Sequence, residues 1–125
     1  ATTLKALGAN VTVCVRKYSD IAVAHSNGIS GCFINDFHRI ANSFDIIVNT
    51  VPAPVINREI LKALSHNTLI IDVASAPYGT DFASAEEFGI KALQCPSLPG
   101  KTAPKTAGEI IAAGIMNIMK EEGYE

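Results

Sequence analysis

The sequence predicts an α/β fold: a doubly wound parallel sheet with helices on both faces. Five short β-type segments alternate with helical stretches along the 125 residues. Two of these segments, residues 45–50 and 68–74, are almost continuously apolar, as expected for strands that are buried on both faces. Strands and helices that alternate in this way predict parallel strands joined by right-handed crossovers.

Sequence signals at the element ends place the first half of the fold. Ser19 is predicted to be the N-cap of a helix, with Tyr18 and Val23 at the spacing of a hydrophobic staple. The predicted elements are a helix ending at Gly8, a strand at 11–15, a helix at 19–27, a strand at 32–34 and a short helix from Asp36.

The second half shows the same alternation with clearer caps. Asn57 is predicted to cap a helix that runs to residue 64, and residues 106–109 have the form of a capping box. The predicted elements are strands at 45–50, 68–74 and 90–95, helices at 57–64 and 81–88, and a long helix from the capping box to Gly123.

The chain begins with a predicted helix, whereas parallel α/β domains usually begin with a strand. In the doubly wound order 3-2-1-4-5-6 of the Rossmann-type fold, a strand preceding Ala1 would lie between segments 11–15 and 45–50. We therefore expect residues 1–125 to form a single incomplete dinucleotide-binding domain, whose central first strand and glycine-rich turn lie upstream or come from another segment.

Composition argues against several classes of function. A net charge of -2 disfavours a nucleic-acid-binding surface, and no apolar run is long enough to predict a membrane span. The three cysteines, Cys14, Cys32 and Cys95, form no CxxC pair and lie in or beside apolar runs. They are predicted to be buried free thiols of a cytoplasmic protein rather than metal ligands or disulfides.

A basic cluster follows the first visible strand. In dinucleotide-binding folds this strand end meets the adenosine ribose, where an acidic residue favours NAD and a basic one accommodates the 2′-phosphate of NADP. Arg16, Lys17 and Ser19 offer positive charge and a hydroxyl donor there, and no acid occurs before Asp20. The alternative is a solvated Arg-Lys pair beside a helix start, but within this fold we favour NADP.

Two further segments follow buried strands, at the edge where ligands bind in open α/β sheets. Thr50, Val51 and Pro52 are interpreted as cofactor contacts, although a rigid proline turn remains an alternative. Ser75 is also interpreted as a cofactor contact. Asp72 is a candidate acid or base, and an aspartate that binds backbone groups is at least as plausible.

The long loop at residues 96–106 is rich in proline, glycine and lysine, which is typical of functional loops. Pro99 and Lys101 are predicted to line the cofactor cleft, and Lys101 or Lys105 would neutralise an anion unless both are simply solvated. No two histidines have metal-ligand spacing, so no metal site is predicted, and no catalytic residue is assigned.

Several segments closely resemble the A-subunit family of dipicolinate synthase. The most specific of them is the stretch from Pro-Gly-Lys to Thr-Ala-Gly at residues 99–108, and the resemblance spans the whole chain. At residues 76–79 the family tends to have a basic residue first and an extra glycine, where this chain has Ala76 and Tyr78. The resembling segments are residues 5–11, 49–53, 69–75, 79–82, 89–93 and 98–108.

The resemblance implies a two-domain, NADP-linked oxidoreductase that acts with a flavoprotein-like second subunit, and we also expect an oligomer. Such an enzyme would oxidise a dihydropyridine dicarboxylate to dipicolinate in the sporulating mother cell, with NADP as hydride acceptor. Two alternatives stay open: the cofactor domain of another two-domain dehydrogenase, of shikimate or 2-hydroxyacid type, and a Rossmann domain that senses a nucleotide without catalysis.

Overall fold

The chain divides into two compact units, each built from parallel strands and helices. The structure is a computed structural model that describes residues 1–95 and 104–124. One unit comprises Ala1–Phe37 and Pro104–Glu125, and the other His38–Ala103. Every strand pair is parallel. The predicted fold class, a parallel Rossmann-type α/β architecture, is therefore confirmed.

The first unit is a two-stranded parallel sheet with helices. β1 and β2 pair in register, with Thr12 opposite Ser30 and Val15 opposite Phe33. The crossover helix α2 packs on both strands, and a Cβ at Gly31 would lie 3.4 Å from the Ile21 side chain. Its elements are α1 (Thr2–Ala6), β1 (Thr12–Val15), α2 (Tyr18–Ser26), β2 (Ser30–Phe33) and α6 (Pro104–Glu121).

Two helix starts in this unit differ from the sequence prediction. The N-cap of α2 is Lys17 and no side chain caps it, so Ser19 lies inside the first turn and its predicted capping role is wrong. The predicted staple is also wrong, because Tyr18 and Val23 are 81% and 61% exposed. α6 begins at Pro104, ahead of the predicted capping box, since proline fits a first helical turn whose N–H groups lack intrahelical partners.

The second unit is a three-stranded parallel sheet in the order β3-β4-β5. A 3₁₀ turn (Ile34–Asp36) and the short helix α3 (Phe37–Ile40) lead into it from β2, and a second 3₁₀ turn (Ala41–Ser43) precedes β3. Its remaining elements are β3 (Ile46–Asn49), α4 (Arg58–Ala63), β4 (Leu69–Asp72), α5 (Phe82–Glu87) and β5 (Lys91–Gln94).

The core of the second unit forms around the central strand. Leu69, Ile70 and Ile71 of β4 are fully buried, which explains why their segment is continuously apolar. Burying each of these side chains stabilises the fold by about 1.5–3 kcal/mol relative to exposure. The predicted cap of α4 is confirmed, because Asn57 accepts a hydrogen bond from the Ile60 amide at 3.1 Å. Asp81 caps α5 in the same way, by accepting from the Ser84 amide at 3.1 Å.

The described strands form two sheets rather than one. Among them, β1 is bonded only to β2, and β3 only to β4. The strand predicted to lie between β1 and β3 therefore stays a prediction. None of the helices in the described part of the chain is both long and apolar enough to cross a bilayer.

Candidate functional site

An open groove of about 550 Å³ lies at the carboxyl ends of β1 and β2. Tyr18 and Phe33 form an aromatic wall, with ring centroids 4.6 Å apart and planes at 75°. The groove thus combines an apolar surface with a few polar groups, as small-molecule sites do. Its lining residues are Val15, Arg16, Tyr18, Phe33, Ile34, Asn35 and Asp36.

The predicted basic cluster lies beside this groove. Arg16 lines it, Lys17 is the N-cap of α2, and Ser19 is in the first turn; all three are exposed. Because no side chain caps α2, its first backbone N–H groups and the positive end of its dipole favour an anion nearby. Asp20 in the same turn offers a competing negative charge.

The second predicted segment, at the end of β3, is organised by Asn49. The buried Asn49 side chain donates to the Val51 carbonyl oxygen at 3.0 Å and accepts from the Val51 amide at 3.2 Å. Thr50 and Pro52 are exposed and Val51 is half-buried. Asn49 therefore fixes a turn that presents Thr50 and Pro52 to solvent at the carboxyl edge of the sheet.

Asp72, at the end of β4, anchors the neighbouring loop. Its fully buried carboxylate accepts hydrogen bonds from the amides of Ala74 and Gly79, both at 3.0 Å, and from the Thr80 hydroxyl at 2.7 Å. Burial pushes the pKa of Asp72 up, but these hydrogen bonds together bring the pKa below its ordinary value. An ionised carboxylate held by three donors favours the structural interpretation over a role as general acid.

Gly79 brings the loops after β3 and β4 into direct contact. A Cβ at this position would collide with the Asn49 amide group and would lie 2.5 Å from the Val51 oxygen and 2.7 Å from the Ala53 oxygen. The Gly79 oxygen also accepts a hydrogen bond from the Ile56 amide at 2.8 Å. Only glycine allows this approach, so the two loops form one packed unit.

Tyr78 adopts a left-handed backbone conformation with φ +66°. This conformation costs a residue with a Cβ about 1–2 kcal/mol. The Tyr78 ring makes an edge contact with Phe82, with centroids 6.3 Å apart. The tyrosine is therefore held by packing in a conformation that suits glycine.

The remaining predicted residues lie at the same edge or outside the described part. Ser75 is exposed, and its carbonyl oxygen accepts from the Tyr78 amide at 2.8 Å. Pro99 and Lys101 lie outside the described residues. The Cys95 amide donates to the Asp72 carbonyl oxygen at 2.8 Å, and burial followed by the charge of Asp72 raises the pKa of the Cys95 thiol.

Three residues that shape this edge, Asn49, Gly79 and Thr80, lie in the predicted segments but were assigned no role from the sequence. An asparagine at the end of an apolar strand is a detectable signal, because such a buried amide needs local backbone partners. A Gly-Thr pair a few residues after a buried aspartate is a weaker one. The described part of the chain contains no group of three His, Cys, Asp or Glu side chains placed to hold a metal ion.

Parallel strands, helical crossovers and loops gathered at the carboxyl ends of the strands make this chain a Rossmann-type α/β protein. No family model matches it. It is 41% identical over 121 residues to the A subunit of dipicolinate synthase from Bacillus subtilis (strain 168). The predicted resemblance to the A subunit of dipicolinate synthase is therefore confirmed over 97% of the length of this chain.

Solved structures show the same similarity in three dimensions. The crystal structure of the dipicolinate synthase A chain from Bacillus subtilis superimposes with a TM-score of 0.78 at 41% identity, over 97% of this chain. The corresponding protein from Bacillus halodurans gives 0.77 at 39% identity, over 95% of this chain. This chain spans 41% of the length of each of these relatives.

Proposed function

We propose that residues 1–125 form a single dinucleotide-binding domain that binds NADP within an enzyme of the dipicolinate synthase type. The observation that carries the proposal is the groove at the carboxyl ends of β1 and β2, with Arg16 on its wall. A ligand at this position would occupy the place where open α/β sheets bind the adenosine part of a dinucleotide.

The residues of the groove fit an adenosine 2′-phosphate. Arg16 is exposed and presents a guanidinium that can fork onto phosphate oxygens, while Lys17 and Ser19 add a charge and a hydroxyl at the uncapped start of α2. Tyr18 and Phe33 offer aromatic surface for the adenine base. A volume of about 550 Å³ is within the range of small-molecule sites.

The second group of proposed cofactor contacts lies at the ends of β3 and β4 and in the loop after β5. Exposure of Thr50, Pro52 and Ser75 on these loops supports the assignment. The packing of Asn49 and Asp72 beneath them explains how the loops keep their shape. The full set in this group is Thr50, Val51, Pro52, Ser75, Pro99 and Lys101.

For the whole protein we propose the reaction named by its relatives, formation of dipicolinate, by oxidation of a dihydropyridine dicarboxylate in the cytoplasm of a sporulating cell. NADP would accept the hydride as the ring becomes aromatic. Lys101 and Lys105 are candidates to pair with the substrate carboxylates. The relatives are named as one lettered component of a synthase, which supports a second component that we propose to be flavoprotein-like, in an oligomeric enzyme.

Titration of the complete protein with NADPH and NADH tests the cofactor assignment. We expect tighter binding of NADPH, and we expect Arg16→Glu to weaken NADPH binding about 10- to 100-fold, the value of one or two charge-assisted hydrogen bonds. NADH binding should change much less, because NADH lacks the 2′-phosphate.

Lys62→Glu is a suitable control, since it makes the same change of charge at an exposed position on α4. An Arg16→Glu variant that keeps the full preference for NADPH would contradict the proposed role of Arg16. Hydride transfer from the dicarboxylate to NADP would separate the proposed enzyme from a nucleotide sensor. The similarity to dipicolinate synthase favours it over a dehydrogenase of shikimate or 2-hydroxyacid type.

A further inference from the structure

Two cysteines lie directly opposite each other on neighbouring strands. Cys14 of β1 and Cys32 of β2 are register partners, and their Sγ atoms are 3.1 Å apart. Both are free thiols. Neighbouring strands are spaced about 4.7–4.9 Å apart, which is within the Cα–Cα range of disulfides, about 4.4–6.8 Å. The backbone already has a separation that permits a bond between the two sulfur atoms.

The two thiols differ in exposure, and the pKa of Cys14 is raised. Cys14 is exposed, contrary to the predicted burial, and Cys32 is half-buried. The pKa of Cys14 is raised to about 12 by partial burial of its sulfur, by the hydrogen bond with Cys32 and by Coulomb repulsion from the Cys32 sulfur. Either sulfur could donate in this contact, and we assign the proton to Cys14 because the pKa of Cys14 is raised.

We propose that Cys14 and Cys32 are a reversible modification site that forms an intramolecular disulfide with a low-molecular-weight disulfide as oxidant. Cys32 loses its proton and attacks one sulfur of the oxidant, which forms a mixed disulfide and releases one thiolate. The Cys14 thiol gives up its proton and attacks the Cys32 sulfur, which releases the second thiolate. Two protein thiols lose two electrons and two protons, and the oxidant becomes two thiols.

The geometry favours a disulfide over a metal site. A two-coordinate thiolate centre with bonds of about 2.3 Å would place its sulfur atoms about 4.6 Å apart if linear, much farther than 3.1 Å. The described residues also contain no group of three ligands that would complete a higher coordination number. An exposed disulfide between adjacent strands belongs to the class that is readily reduced, which makes the modification reversible.

The cross-link would lie immediately before the residues that form the groove wall. Cys14 precedes Val15 and Cys32 precedes Phe33, so oxidation would fix the two strand ends relative to each other at that point. The proposal does not depend on what occupies the groove, because it rests on the two sulfur atoms and their register alone.

Oxidation of the purified protein in glutathione redox buffers tests the proposal. Free thiols are alkylated after equilibration, and peptide mass spectrometry locates the bridges. We expect a Cys14–Cys32 bridge, with loss of two hydrogen atoms, that dithiothreitol reduces again. The equilibrium constant for formation of this bridge should be at least about tenfold higher in the folded protein than in the chain unfolded in urea. Cys95→Ser should leave this bridge unchanged, and Cys14→Ser should retain glutathione on Cys32.

Two results would overturn the proposal. One is separate glutathione adducts on Cys14 and Cys32 of the folded protein with no bridge between them. The other is a bridge that forms no more readily in the folded protein than in urea. Circular dichroism of Cys14→Ser and Cys14→Ala tests whether the variants are folded. Retention of glutathione on Cys32 in either folded variant supports the order of attack.

Discussion

Replacing Asp72 by asparagine tests whether its carboxylate anchors the loop after β4. The carboxylate is fully buried and accepts three hydrogen bonds, from the Ala74 and Gly79 amides and from the Thr80 hydroxyl. An asparagine side chain has one oxygen acceptor, and its NH₂ group would face a donor. The Thr80 hydroxyl can rotate to accept a hydrogen bond, whereas a backbone amide cannot.

The expected loss of stability follows from this mismatch. One buried amide left without an acceptor costs about 1–3 kcal/mol, so we expect Asp72→Asn to lower the free energy of unfolding by about 2 kcal/mol. Urea denaturation followed by circular dichroism measures this change as a lower midpoint with an unchanged slope. Asp45→Asn, the same substitution at an exposed position just before β3, should change stability by less than about 0.5 kcal/mol.

The pH dependence provides an independent check on the same carboxylate. Because the pKa of Asp72 is lowered in the folded chain, its contribution is present above the unfolded pKa of about 3.9 and is lost as the pH falls through the folded pKa. The difference between wild type and Asp72→Asn should therefore be constant near neutral pH and shrink below about pH 4. Equal stabilities of the Asp72→Asn and Asp45→Asn variants at pH 7 would refute the anchoring role.

Two further substitutions test contacts in the described part of the chain. Gly79→Ala should lower the free energy of unfolding by about 3 kcal/mol, because its methyl would lie 2.5 Å from the Val51 oxygen. Gly31→Ala is the control, because its methyl would make only ordinary van der Waals contacts with Ile21. Similar urea midpoints for the two variants would contradict the prediction. Arg58→Met removes the bidentate ion pair with Glu87 and should lower the thermal midpoint at low salt. The difference in thermal midpoint should shrink at about 1 M salt, which screens the ion pair. It should also shrink below about pH 4.3, the unfolded pKa of glutamate, because pairing lowers the pKa of Glu87. A difference that depends on neither salt nor pH would assign the effect to packing.

Residue patterns sufficed for the elements whose signals are local. A continuous apolar segment predicted β4, and all four residues of this strand are buried. Asn57 and Asp81 cap α4 and α5 because each side chain accepts a hydrogen bond from an amide three residues ahead. The predicted start of α2 was wrong because no side chain caps this helix. Ser19 has the right chemistry for a cap, but Lys17 takes the extended conformation and Tyr18 enters the helix, with its ring against Phe33.

For the candidate site, only the position of residues at the ends of parallel strands was predictable from the sequence. Parallel strands place their carboxyl ends at one edge, so Arg16, Thr50 and Ser75 could be assigned to loops at strand ends. Contacts between segments distant in sequence gave no local signal. The approach of Gly79 to the turn after Asn49 and the opposition of Cys14 to Cys32 both follow from register, which a single sequence does not specify.

The contact between Gly79 and the turn after Asn49 has a consequence for ligand affinity. Both loops are already tied to buried side chains and to each other through hydrogen bonds that involve no ligand. A dinucleotide that bound at this edge would not have to order the two loops. Its affinity would therefore not be reduced by the entropy that is normally lost when a binding loop becomes ordered. Loosening the contact between Gly79 and this turn should therefore weaken the binding of such a ligand.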